Sequence, residues 1–254
     1  MPSQPLTESP RMLALLISLL SVGGAPGPAE APPIGSFLYQ PAFHIDEVLR
    51  EPAEPYVPQP GDIMLRLDKS IFWRVTHYMA FAFDPNGSGI IFARPDGSLA
   101  VLEAGPNDTT WVRTLDMLPH LKEYADKGRV WIRRRKVPLS PDQCARLTEF
   151  ALAVDGKRFA LWRLAGQLTI FRSRGPLRTY FIGAPRGTGR RDYYCCELVF
   201  EACVWAGLLD PKRTRPCATN PRDLFYGRSI NLFIDQHLDV NAWWEPPARW
   251  TDHP

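Results

Sequence analysis

The sequence predicts an α+β domain, with a small antiparallel sheet packed against helices. Three observations predict it. Between Gly61 and Val137, short strand-like runs alternate with turn signals. Beyond Ser140 the apolar spacing becomes helical and carries caps. The 254 residues are 45% hydrophobic and 22% charged, the balance of a chain that can bury a core. This length allows one ordinary domain with tails, or two small ones. Wholesale disorder and a polytopic membrane protein are excluded. A net charge of +3 is too small to point to nucleic acid as the partner.

Residues 1–31 read as a secretory signal peptide. Met12–Val22 is an uncharged apolar run, preceded by Arg11 and followed by small residues and prolines, with Ala29-Glu-Ala31 as the candidate cleavage site. The run is short for a bilayer, which takes about 20 apolar residues. The expected location is therefore exported, periplasmic or extracellular. Losing Arg11, Glu8 and Glu30 makes the chain slightly more basic, which suits peripheral contact with an anionic wall or membrane surface. Residues 32–60 are proline-rich and predict an extended lead-in, with one short helix near Ile45–Arg50.

The folded domain is expected over 61–254, opening at the Gly61-Asp62 turn. Predicted strands are Ile63–Leu67, Val75–Phe83, Ile90–Ala93, Leu99–Ala104 and Val130–Val137. Pro85-Asn-Gly87 and Pro95-Asp-Gly-Ser98 supply turns. Ser140-Pro141 starts a helix whose stripe is Cys144, Leu147, Phe150 and Ala151. Arg158–Phe171 is a further helical candidate. Asp192 is expected to cap a helix from about Tyr193 to Ala206, which Gly207 stops. From Leu208 the chain is loop-rich. Arg133–Lys136 and Arg186–Arg191 read as solvated basic runs, and Trp243, Trp244 and Trp250 as packing or a cleft wall.

The sharpest chemical feature is Asp192-Tyr-Tyr-Cys-Cys-Glu-Leu-Val-Phe200, which puts Cys195 in the first turn of a buried helix. Free N–H groups and the partial positive charge there favour a thiolate and can hold an oxyanion. Buried cysteine is more often a small core residue, so this feature alone does not make a nucleophile. His77 on the Val75–Phe83 strand strengthens the case. If that strand pairs antiparallel with Leu99–Ala104, His77 stands opposite Glu103, which could orient the imidazole as it deprotonates Cys195. The five cysteines are an odd number. With no C-x-x-C and no H-E-x-x-H, neither a metal nor another cofactor is expected.

Gly61-Asp-Ile63, Thr76-His77-Tyr-Met-Ala, Val101-Leu-Glu-Ala104 and Tyr194-Cys-Cys-Glu-Leu198 together resemble the permuted NlpC/P60 superfamily, in particular its YiiX/YaeF-like branch of papain-like amidases. The resemblance covers about residues 61 to 225. It implies a circularly permuted papain-like fold with Cys195 as nucleophile, His77 as general base and acid, and Glu103 as the orienting third residue. Thr76 stands for the usual serine, Tyr78-Met-Ala for a V-G-I pattern, and Cys196 for a serine beside the nucleophile. Motif alignment and helix-start position favour Cys195 over Cys196. The resemblance further implies hydrolysis of an amide through a thioester, with a peptidoglycan fragment or an acylated small molecule as substrate. An acyltransferase or lipid-directed thioesterase on the same fold, and a non-catalytic wall-binding domain, are the alternatives. The oligomeric state is left open.

Overall fold

A computed structural model describes residues 34–41, 52–68, 75, 78, 83–106, 109–166, 169–170, 172, 174–234 and 238–254. The signal-peptide expectation, the helix near Ile45–Arg50 and His77 lie outside the described residues. The fold is mixed α+β. An eight-stranded sheet, antiparallel at every pairing, runs in the order β2-β1-β10-β7-β3-β4-β5-β6. Its strands are β1 (Phe37–Pro41), β2 (Glu54–Pro55), β3 (Ile63–Asp68), β4 (Gly87–Ala93), β5 (Leu99–Ala104), β6 (Val112–Asp116), β7 (Gly128–Arg133) and β10 (Ala248–Thr251). Two parts of the proline-rich lead-in, β1 and β2, are thus strands of this sheet. A separate parallel pair joins β8 (Arg158–Phe159) to β9 (Asp192–Tyr193). Among the described residues no helix is long and apolar enough to cross a membrane.

Side-chain alternation splits the core between the two sheet faces. Ile63, Leu65, Ile90, Phe92, Ala100, Leu102 and Ala104 pack on one side. There they meet the helices α2 (Pro141–Val154) and α4 (Cys195–Trp205). Met64, Ile91, Val101, Val130 and Ile132 face the other way, onto Met117, Leu121 and Tyr124 of α1 (Met117–Lys127). The shorter helices are α3 (Trp162–Ala165), α5 (Pro221–Tyr226) and α6 (Val240–Trp243).

The turn residues act as their chemistry dictates. Gly61 takes φ +90°, a backbone shape that favours glycine. Asp62 beside it is buried and accepts from the Tyr56 hydroxyl at 2.6 Å and the Arg135 backbone N–H at 2.6 Å. The Gly61-Asp62 motif therefore clamps β3 to the lead-in and to the end of β7. At the other hairpin, Gly97 is at φ +85° and Asp96 caps the Ser98 N–H at 2.9 Å, joining β4 to β5. Ser140 and Gln143 form a reciprocal capping box at the start of α2.

Three expectations are corrected. Val75 and Tyr78 have helical backbone where the sequence predicts a strand, and residues 76, 77 and 79–82 of that prediction lie outside the described residues. The edges of β5 are filled instead by β4 and β6, and Glu103 stands across from Gly89 and Arg113. The turn at Pro85-Asn-Gly87 leads straight into β4, which is the true hairpin partner and longer than predicted. Arg158–Phe171 yields only β8 and the one-turn α3 among its described residues. Finally, the basic runs are not solvated throughout: Arg133, Arg135 and Arg190 are buried.

Candidate active site

Cys195 is the first residue of α4. Tyr194, in extended backbone, is the N-cap, and the Glu197 carboxylate accepts its N–H at 3.1 Å. The predicted cap, Asp192, lies in β9 instead. Residues Cys195 to Cys203 are all buried, including Glu197 and Glu201. A buried carboxylate must be paired, and arginines pair both. Arg163 reaches Glu197 at 2.6 Å, and Arg190 reaches Glu197 at 3.1 Å and Glu201 at 2.7 Å. That requirement draws Arg190 out of solvent and anchors the loop before β9 to the helix.

The thiol of Cys195 opens onto a pocket of about 30 Å³, room for a water or two. Arg66, Asn86, Ala104, Gly105, Thr109 and Phe159 complete its wall. All five cysteines are free thiols. Burial raises the pKa of Cys195. The Arg66 cation, the Cys196 backbone N–H and Ser88 work against that rise, while the Glu103 charge adds to it. Cys196 is different. Its Sγ contacts Thr219 Oγ1 at 3.6 Å, it does not line this pocket, and burial drives its pKa well above the ordinary thiol value. Adjacent helical residues point about 100° apart, which separates the two thiols.

Glu103 sits on the other sheet face, toward α1, and is fully buried. Its carboxylate accepts Arg66 Nε–H at 2.8 Å and the Tyr124 hydroxyl at 3.2 Å, and it meets His120 Nε2 at 2.8 Å. Burial acts to raise the Glu103 pKa, but Arg66 and His120 outweigh it and hold the group below the usual carboxylate range. Arg66 reaches Glu103 across β4 because that strand carries glycine where a side chain would block the way. A Cβ on Gly87 would lie 2.6 Å from both Cγ and Nε of Arg66. The guanidinium also stacks 4.5 Å above the Tyr124 ring.

Of the three predicted site residues, the structure places Cys195 in the pocket and Glu103 behind it, joined through Arg66. The pairing expected to set His77 opposite Glu103 is taken by β4 and β6, and His77 itself lies outside the described residues. Three residues of this cluster escaped sequence reading: Arg66, His120 and Tyr124. One signal for the last two was present, since His120 and Tyr124 are four apart, the spacing of one helix face with Met117 and Leu121. Among the described residues, no three His, Cys, Asp or Glu side chains gather as a metal site.

No family model matches the chain, and no curated protein is similar to it. Among solved structures it is similar to the metalloprotein YiiX from Escherichia coli O157:H7. Identity is 20%, coverage is 58% of this chain and 66% of that one, and the TM-score is 0.39. The match spans just under two thirds of that chain.

Proposed function

We propose that this chain is an exported cysteine hydrolase that cleaves an amide bond, in a peptidoglycan stem peptide or a related acylated molecule. The observation that carries the reading is Cys195: a free thiol at a helix N-terminus, lining a pocket beside a cation. The thiolate attacks the carbonyl carbon, the amine leaves with a proton, and water then resolves the thioester. Helix N–H groups and the Arg66 guanidinium favour the negative charge that develops on sulfur and oxygen. His77 is the proposed base, on motif order alone. Because burial keeps Cys195 protonated, the thiol needs such a base at neutral pH.

A second reading rests on one specific observation. The Glu103 carboxylate is already held by Arg66, Tyr124 and His120, the pattern of a structural ion cluster. On that reading the domain binds cell wall without cleaving it. Incubating the full chain with purified muropeptides and weighing the products separates the two. The hydrolase reading expects new amine and acid termini, lost by a factor of about 10³ or more in Cys195→Ala. Unchanged turnover in Cys195→Ala, or none in the wild type, overturns it.

A further inference from the structure

A second pocket lies where β7 ends in Arg133-Arg-Arg-Lys136, a run the catalytic reading leaves unused. It measures about 250 Å³ and is lined by Arg133, Lys136, Phe225, Tyr226, Asn241 and Trp244, with two prolines closing one side. We propose that this pocket binds a small carboxylate with a flat apolar body, the carboxylate on Arg133 and the body against Tyr226 and Pro246.

Arg133 is 1% exposed. Its three nitrogens donate to the Glu245 main-chain oxygen at 2.9 Å, the Leu224 main-chain oxygen at 2.6 Å and Asn241 Oδ1 at 2.6 Å. These acceptors are all neutral, and among the described residues no carboxylate lies within ion-pair distance. A buried cation without a counter-ion is costly, and such charges are ordinarily paired. A guanidinium has five N–H groups, so two remain here, one on each terminal nitrogen. That pair is what a carboxylate bridges with its two oxygens. Burial lowers the Arg133 pKa to about 10, with Glu245 opposing this only through space, which is the same deficit seen from the proton's side.

The surroundings select the ligand's body. Lys136 stands exposed at the rim, its Nζ donating to the Asn241 main-chain oxygen at 2.8 Å. Trp244 is locked in place by its indole N–H, which donates to the Gly61 oxygen at 2.8 Å, and Arg135 lies 4.4 Å over its ring. Phe225 and Tyr226 stack edge to face beside it, with centroids 5.0 Å apart. Trp244 and Phe225 are 1% exposed, so the apolar surface open to a ligand is that of Tyr226 and Pro246, which an anion without an apolar body, such as inorganic phosphate, would leave uncovered. The pocket shares no lining residue with the Cys195 pocket, so the proposal stands apart from the hydrolase reading.

The test is titration of the full chain with benzoate, its neutral isostere benzamide, and inorganic phosphate. Calorimetry would run alongside NMR of the Trp244 indole N–H. The expected result is saturable benzoate binding at least about tenfold tighter than either control, with the Trp244 resonance shifting. Lys136→Gln should weaken benzoate binding about threefold, as loss of a rim charge does. Arg133→Lys keeps the charge but not the fork and should weaken it about tenfold or more. If Arg133→Lys fails to fold, the benzamide control and Lys136→Gln still decide. Equal binding of benzoate and benzamide, a Trp244 resonance that does not move, or no benzoate binding at millimolar concentration would overturn the proposal.

Discussion

Arg66 and Arg133 stand on neighbouring strands, β3 and β7, and both are withdrawn from water, yet only Arg66 meets a carboxylate. Arg66 is tied to Glu103 at 2.8 Å, inside a cluster that also holds His120 and Tyr124. Arg133 meets only neutral oxygens. The first is a charge the fold has neutralised, so it holds sheet and helix α1 together and lends its residual field to the Cys195 thiol. The second keeps hydrogen-bonding capacity, which is the condition for receiving an anion from outside. The difference teaches that burial alone does not separate a structural cation from a binding one; the partner's charge does.

The largest expected effect breaks the neutralised pair. Glu103→Gln leaves Arg66 charged and largely buried without its anion, and should destabilise the fold by about 3 kcal/mol in urea unfolding. Arg133→Met removes a cation that no carboxylate answers, and orphans only carbonyl acceptors. Its cost should be smaller, about 1–2 kcal/mol. Equal costs would dissolve the distinction between the two arginines. Gly87→Val drives a side chain into Arg66 and should cost about 2 kcal/mol. It should also slow alkylation of Cys195, because the guanidinium is pushed from its place.

Acid sharpens the comparison further. The folded pKa of Glu103 lies below its unfolded value, so its contribution is present above the ordinary carboxylate range, near 4.3. It is lost as pH falls through the lower folded value. Wild type and Glu103→Gln should therefore differ clearly in melting temperature at pH 7 and converge as the solution is acidified below the ordinary carboxylate range. A gap that persists in acid would mean the Glu103 charge is not what stabilises the cluster. The smallest effect expected is Cys196→Ser, about 1 kcal/mol or less, since serine can keep the contact with Thr219.

Much of the frame was legible in the sequence. Four of the predicted strands, the α2 cap and the helix that begins at Cys195 were announced by local signals: alternation, turn dipeptides, Ser140-Pro141 and a terminal glycine. What was not legible was set by long-range partners. Glu103 reads locally as a strand-end carboxylate, and its partners come from β3 and α1, at positions 66, 120 and 124. Arg133 reads as surface charge because its acceptors lie far away in sequence, on the tail; Arg135 because the rings it packs on, Trp243 and Trp244, also come from the tail; and Arg190 because its carboxylates belong to the next helix, α4. His77 was drawn to Glu103 by an assumed pairing. Gly87 and Gly89 in β4 made that segment look like part of a turn, although it is the strand that pairs with β5.

The most direct test of the account is the location and pH dependence of alkylation by iodoacetamide, read by peptide mass spectrometry on the native full chain. Cys195 should react before Cys196, Cys203 and Cys217, with a rate that climbs as pH rises. Arg66→Met should slow it about tenfold, as loss of a nearby cation raises a thiol pKa by one unit or more. Modification of Cys196 ahead of Cys195, or a Cys195 rate indifferent to Arg66→Met, would contradict the account.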